Sequence, residues 1–476
     1  MKTNDLVDLP HARSVADDLR REWALDAALQ GFKPYYWNSN HEDLPVLHLE
    51  DLTGIPFLDG VAGILEYQHR ARVRAESGDL FAAGTAPVDG YEAYCRDVLG
   101  LGNPDFIHAK GEDATAVCAA CFKPEAFARL RRRSDEAGGL VIHPYMSIAA
   151  TWQLAEKLTD ESGHQVSVLG PPPPVLWVAN DKSRFSRLVE EVLGADWIVD
   201  TRRSSDPAIL ADALGSLAGK CERVGLKRTR CASAMGNAVF SADVLQRMSG
   251  EKRRDLIDKF LTRTRWCDDE DVLVVEWRET DISPSTQLWI PPEGDGDPVV
   301  EGVYEQLLEG PEKIFLGSAP STLPEPLNQA LSDASLQVGA ALQRMGYIGR
   351  CSFDFIVTGD LDGDFHAQFT ECNGRWGGTS TPMHLVDRLV PHNGDRPAYV
   401  ATDYFLPESH RETAFSDLLA ALDEELYSPE SEDGRFILYN VGPLTEHGKF
   451  DVISLGEDPE DAQRGLDTIL PKMLGI

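Results

Sequence analysis

Between Cys351 and Asn373 the chain reads CSFDFIVTGDLDGDFHAQFTECN, a stretch whose residue types suit divalent-cation chemistry. Asp354, Glu371 and Asn373 offer two carboxylates and a carboxamide, the hard oxygen donors that Mg²⁺ takes. The Asp362-Gly363 pair signals a two-residue type I′ turn, and a hairpin centred there sets Asp354 directly opposite Glu371. Opposed carboxylates destabilise a sheet unless a cation lies between them, so the spacing predicts a metal site made of Asp354, Glu371 and Asn373. In so acidic a chain the plainer alternative is a solvated hairpin whose acids face water. Asp360, Asp362 and Asp364 also match the first ligand positions of a calcium loop, but Phe365 stands where that loop needs glycine, and strands flank it instead of helices.

Past the hairpin the chain continues GRWGGTSTP. Glu371, Asn373 and Arg375 alternate with Cys372 and Gly374, so the three polar side chains leave from one face. Arg350, four residues before Asp354, shares the face of that carboxylate; an ordinary surface arginine is an equally good reading. Gly377 and Gly378 would allow close backbone approach or a nest for an anion. Farther upstream, GLKRTRCASAMGNAVF places Lys227 at a strand end, ahead of a small-residue loop with Ser233, Ala234, Met235 and Gly236. Small residues let backbone amides reach phosphate oxygens, and a lysine adds a point charge. Such loops are common, and this one is neither a Walker loop nor the three-glycine dinucleotide pattern.

Around these residues the chain is of globular type. It has 476 residues, 42% hydrophobic, enough for two to four domains. The formal net charge of -33 repels phosphate backbones and anionic lipid, which argues against nucleic-acid or membrane partners. Among eight cysteines only Cys118 and Cys121 lie close together, and no second pair follows at zinc-site spacing, which predicts reduced thiols. Acids near the N-terminus stand where a signal peptide needs an apolar core, so a cytoplasmic protein is expected.

From Val46 to about Gly170, strand-like runs alternate with helical patterns, including a helix over DGVAGILEYQHRARVRAE, which implies an α/β layer with a mainly parallel sheet. The prolines 171–174 read as a stiff connection and LWVAND as a strand running into the helical KSRFSRLVEEVLG. DVLVVEW has the length and continuous apolarity of a strand buried on both faces. A helix is predicted to end at Gly346, and the acidic 293–298 stretch to be an exposed loop. The tail reads as a strand pair, GRFILYNVG and KFDVISLG, then a helix capped by Asp458.

Taken in order, Lys182 in NDKSRF, Lys227 with its loop, VLVVEW with Glu276, SFDF with Asp354 and ECNGR resemble the ATP-grasp superfamily over about residues 179–389. Within it the chain is most similar to peptide ligases typified by the pheganomycin peptide ligase, on PPPPVLWVANDK, ASAMGNAVF, ECNGRWGGTSTP and the C-terminal unit. The resemblance implies a pre-ATP-grasp α/β domain over 1–178, a small lid-bearing subdomain over 179–268, and a large subdomain over 269–476 that includes an α+β unit from about 394. It implies that Lys182, Lys227 and the loop Ser233, Ala234, Met235 and Gly236 hold ATP phosphates, and that the hinge at Glu276 and Trp277 meets adenine. Asp354, Glu371 and Asn373 would bind two Mg²⁺ ions, for which Mn²⁺ can substitute, with Arg375 and Arg350 at the reacting centre. The implied reaction joins a carboxylate and an amine through an acylphosphate, on amino acids or peptides, and homodimers are common in that superfamily. A phosphotransferase or carboxylase on the same ATP site, and a non-catalytic ATP-binding scaffold, are the rival expectations.

Overall fold

The computed structural model describes residues 7–56, 63–231, 236–267, 270–309, 314–361, 363–392 and 396–476. Near the N-terminus five short strands, β1 (Val46–Leu49), β2 (Leu80–Ala83), β3 (Asp105–His108), β4 (Gly139–Pro144) and β5 (Gln165–Val168), pair in the order β3-β2-β1-β4-β5. Every pairing is parallel, as the strand and helix alternation required. The helices Pro124–Ala137 and Ala149–Ser162 cover it, and Leu47, Leu49, Leu130, Ile142 and Leu158 share its core. At their carboxyl ends β4 and β5 run into Tyr145–Ser147 and Gly170–Pro171, the edge where parallel sheets receive ligands.

Two local expectations fail here. The helix expected over DGVAGILEYQHRARVRAE is instead a 3-10 stretch over Glu66–Arg74, with residues 57–62 outside the described part. Seven consecutive side chains, Gln68 to Arg74, are buried, so this segment has no solvent face of the kind that an amphipathic α-helix keeps. LWVAND is likewise no strand: Pro173–Asn180 is an α-helix with proline in its first turn, where the missing N–H costs nothing. Val175, Leu176, Val178 and Ala179 are buried, and the half-buried face carries Pro173, Pro174 and Trp177, apolar letters that hide the helical period.

Next comes an antiparallel sheet of β6 (Thr201–Ser204), β7 (Arg223–Arg228), β8 (Asn237–Ser241) and β9 (Val272–Glu276), ordered β6-β9-β7-β8. The interior position of β9 explains its unbroken VLVV. The helices Pro207–Ala218 and Gly250–Arg263 cover one face through Leu210, Leu214, Ile257 and Phe260.

An eight-stranded sheet holds the rest: β10 (Pro284–Ile290), β11 (Val299–Glu309), β12 (Ile314–Pro320), β13 (Gly349–Gly359), β14 (Phe365–Asn373), β15 (Ala398–Phe405), β16 (Phe436–Tyr439) and β17 (Lys449–Gly456). Their order is β14-β13-β10-β11-β12-β15-β17-β16, so the tail's strand pair extends this sheet. Asp458 caps the helix Pro459–Arg464, accepting from the Asp461 N–H at 2.8 Å. Phe353, Phe355 and Phe369 turn into a core shared with the helices Leu9–Glu22, Lys182–Leu193 and Glu325–Arg344, leaving the opposite face of β13 and β14 for polar groups. The helix Glu325–Arg344 ends just ahead of Gly346, whose φ of +98° suits glycine. Residues 293–297 are exposed, while Pro298 is buried. No helix among the described residues is long and apolar enough to cross a membrane.

Candidate active site

The hairpin of β13 and β14 sets Asp354 opposite Glu371, as the sequence predicted, but by another route. The turn expected at Asp362-Gly363 falls partly outside the described residues. The strands close at Gly359 and Phe365, leaving a five-residue loop, of which Asp362 lies outside the described residues. Gly359 has φ +96°, and a Cβ there would collide with the Asp364 carbonyl oxygen. This loop alone would pair Asp354 with Thr370. A bulge at Thr370, whose hydroxyl donates to the Asp354 carbonyl at 3.1 Å, shifts the register by one and restores Glu371. The bulge also changes the side-chain phase. Phe365, Ala367 and Phe369 point into the core, then Cys372 does, and Glu371 and Asn373 fall on the face of Asp354.

On that face Asn373 Nδ2 donates to Asp354 Oδ2 at 2.9 Å. Burial and the neighbouring Glu371 charge push the Asp354 carboxyl up to about 7, against the pull of Asn373, Arg375 and Lys182. Burial acts on Glu371 in the same sense, but Lys182, with Lys227 and Arg375, outweighs it and holds Glu371 below the usual range. Lys182 Nζ lies 2.5 Å from Glu371 Oε2 and donates to the Cys231 carbonyl at 2.8 Å. It opens the helix Lys182–Leu193, which Asp181 caps by accepting from the Ser183 and Arg184 amides; Arg230 Nε in turn holds Asp181 at 2.9 Å. Two opposed carboxylates with an amide oxygen beside them fit a hard divalent cation. Among the described residues no three His, Cys, Asp or Glu side chains group to hold one, so water and phosphate oxygens would complete the shell.

Lys227 stands on β7 with its Nζ 5.2 Å from the Trp277 ring centre, and burial lowers it to about 8. Trp277 packs so closely on Gly225 that a Cβ there would come within 2.6 Å of the ring. The Glu276 and Trp277 amides donate to the Asp200 and Arg223 carbonyls, at 2.8 and 3.0 Å, so what this hinge can offer a base is carbonyl oxygen and side chain. Glu276 also pairs with Arg278 at 3.1 Å. Gly236 accepts from the Arg228 amide at 2.9 Å at the foot of the loop; Ser233, Ala234 and Met235 lie outside the described residues.

Arg375 Nη1 and the Gly374 amide both donate to Asn180 Oδ1, at 3.1 and 3.0 Å, joining β14's end to the helix Pro173–Asn180. Arg350 is no free surface arginine: both terminal nitrogens grip Glu301, and its guanidinium lies 5.0 Å from the Trp376 ring centre. Trp376 donates from its amide to the Tyr145 carbonyl and from Nε1 to His143 Nε2, each at 3.1 Å. Arg74 covers the same indole at 4.7 Å, and His384 meets it edge-on at 5.4 Å. The nest expected at Gly377 and Gly378 does not form, since neither adopts positive φ. Gly378 instead makes room for Phe315, into whose ring a Cβ would run. Asn180, Tyr145, His143, Arg74 and Glu301 escaped the sequence reading; only the position of Asn180, two residues before Lys182, marked any of them.

No protein-family model matches the chain, and no curated protein does. Solved structures do resemble it. The N5-carboxyaminoimidazole ribonucleotide synthetase of Thermus thermophilus is similar with TM-score 0.51 and 13% identity over 90% of this chain and 98% of that one. Biotin carboxylase of Campylobacter jejuni, solved as a β,γ-ATP complex, has TM-score 0.52 and 13% identity, with 89% and 90% covered. The N5-carboxyaminoimidazole synthase of Aspergillus clavatus, in complex with ADP and 5-aminoimidazole ribonucleotide, has TM-score 0.51 and 12% identity, with 84% and 100% covered. The fold is therefore the mixed α/β fold of ATP-grasp enzymes, with a parallel-sheet domain and an antiparallel-sheet domain.

Proposed function

We propose that this protein is an ATP-dependent carboxylate-amine ligase that forms an amide or peptide bond and releases ADP and phosphate. The observation that carries the reading is the Asp354, Glu371 and Asn373 face, with Lys182 paired to Glu371 and Arg375 just beyond, on an ATP-grasp fold. A substrate carboxylate oxygen attacks the γ-phosphorus of ATP and the bond to the ADP oxygen breaks. An amine nitrogen then attacks the acyl carbon, phosphate leaves with the C–O electron pair, and the nitrogen gives up a proton. Lys182 and Lys227 supply positive charge toward the phosphates, and Arg375, tethered by Asn180, steadies oxyanions of the acylphosphate and of the tetrahedral intermediate. Mg²⁺, held by Asp354, Glu371 and Asn373, would screen phosphate charge from the incoming carboxylate.

In this reading residues 1–178 shape the acceptor side, 179–268 carry the phosphate loop, and 269–476 carry the metal face. Amino acids and short peptides are the proposed substrates, on the resemblance to peptide ligases. The test is ADP release across a panel of amino acids and short peptides, with mass detection of products. The ligase yields an amide and needs both substrates for fast turnover. A stable phosphorylated product formed without amine would make it a phosphotransferase, and nucleotide binding with no turnover would make it a scaffold.

A further inference from the structure

On the polar face of the large sheet, β10 lies beside the hairpin, and its register sets Ser285 next to Asp354 and Gln287 next to Ser352, which itself stands opposite Asn373. The alternate residues turn the other way: Thr286 meets Ser335, and Leu288 and Ile290 join the core. Ser285, Gln287 and Ser380 are all buried, and hydrogen bonds run through them in series. The Gly377 amide donates to Ser380 Oγ at 3.0 Å, the Ser380 hydroxyl donates to Gln287 Oε1 at 2.9 Å, and Gln287 Nε2 donates to Ser285 Oγ at 3.0 Å. Ser380 opens the helix Ser380–Leu389, so these bonds join the strand beside the carboxylates to the turn that follows Arg375.

Gly377 and Gly378 make this turn costly to order, since glycine loses more backbone freedom on folding than any other residue. Ahead of Arg375 the backbone is held by the Gly374 amide on Asn180, and just after it by the Trp376 amide on the Tyr145 carbonyl. Farther on, the hold on the Gly377 amide passes through Ser380 to Gln287. A buried amide adds little net stability over an apolar residue of its shape, because its bonds replace bonds to water. What a fully bonded one gives its partners is a fixed position. We propose that Gln287 is a positioning residue: through Ser380 it keeps the segment 376–378, and with it Arg375, in place against the face of Asp354 and Glu371. The inference deepens the ligase reading and rests on it, because the place of Arg375 matters to turnover only if an oxyanion forms there.

The test compares full-length Gln287→Met, which keeps the volume and loses both bonds, with Ser380→Ala, which removes one oxygen. In each, kcat for amide formation should fall about tenfold or more, while the affinity for Mg-ADP by calorimetry stays within about twofold of native. The double variant should be no slower than the slower single variant, as expected of two residues in one series of bonds. In an Arg375→Ala background Gln287→Met should cost less than about twofold, since the side chain it positions is gone. Native kcat in both single variants, or a loss of the same size that persists without the Arg375 side chain, overturns the proposal. Should Gln287→Met fail to fold, Ser380→Ala carries the same comparisons. Hydrogen exchange reads the anchoring apart from activity: amides over 374–380 should exchange about tenfold faster in either variant, with 349–359 unchanged, and exchange equal to native overturns the proposal. If no substrate pair makes the native protein release ADP, the ligase reading falls, and hydrogen exchange still decides the anchor.

Discussion

Lys182 Nζ and Glu371 Oε2 meet at 2.5 Å, tying the first turn of the helix Lys182–Leu193 to the carboxylate face of β14. One ammonium thus joins the segment after β7 at Cys231, whose carbonyl it also holds, to the carboxylate opposite Asp354. Glu371→Gln keeps an acceptor for Lys182 but removes the charge that a divalent cation needs. ADP release should fall at least ~100-fold, with little change in the melting temperature. Chelation with EDTA should abolish ADP release in the native protein, with recovery on adding Mg²⁺ or Mn²⁺. Near-native activity in Glu371→Gln would mean that the metal face is wrongly assigned.

In the proposed role, Lys227 should give ATP affinity a pH dependence. Burial lowers its ammonium to about 8, with Glu371 opposing and Lys182 adding to the shift, so the free protein loses this charge as pH rises through 8. Phosphate favours the protonated form, so binding should weaken above pH 8, approaching about tenfold per pH unit. Lys227→Arg, charged throughout this range, should flatten the profile in calorimetric titrations. A native profile level from pH 7 to 9 would rule out contact between Lys227 and phosphate.

Gly374→Ala tests the tether on Arg375. A Cβ there would stand 2.8 Å from Asn180 Nδ2 and 2.9 Å from Ala179 Cβ, so Asn180 must move. The expected cost is about 1–3 kcal/mol of stability by urea unfolding. Activity should also drop about 10-fold or more through lost positioning of Arg375, and Asn180→Ala should reproduce this drop without the steric cost. Equal kcat in Asn180→Ala and the native protein would show that Arg375 needs no tether.

His69 bears on acid stability. Burial, with His108 nearby, lowers it to about 4, while its ring nitrogen bonds the Thr85 hydroxyl at 2.9 Å. Between that value and its ordinary 6.5 the unfolded chain holds a proton that the folded one lacks, so acid favours unfolding. Relative to His69→Gln, the native protein should lose on the order of 2 kcal/mol on going from pH 7 to 5. Urea titrations at the two pH values check this; parallel stability curves would show that His69 is protonated in the fold.

Much of the hairpin was legible because its information is local. Asp354 and Glu371 were placed face to face from the letters, and the alternation of Glu371, Asn373 and Arg375 with Cys372 and Gly374 read correctly. The register next to the loop is one residue off the expected one, and the bulge restores it. Phe365, Ala367 and Phe369 occupy odd positions and Cys372 an even one, so the phase change of the bulge stood in the sequence, but no local rule assigns it to Thr370 over the loop. Pro173–Asn180 was misread for a different reason: its half-buried face is made of Pro173, Pro174, Trp177 and Asn180, mostly apolar side chains, so little polarity marks its period.

The amino-acid sequence by itself determined the donors and their order: two lysines, two carboxylates, an amide and an arginine at spacings that a hairpin and a helix start can bring to use. The tertiary structure alone decided which charges have partners. Arg74, His143, Arg350 and Trp376 come from four separate segments, and whether a guanidinium is compensated depends on which carboxylate is buried beside it. Burial and pairing are properties of packed neighbours, so the cluster of Arg74, His143, Arg350 and Trp376 beside the carboxylate face exists only in the fold.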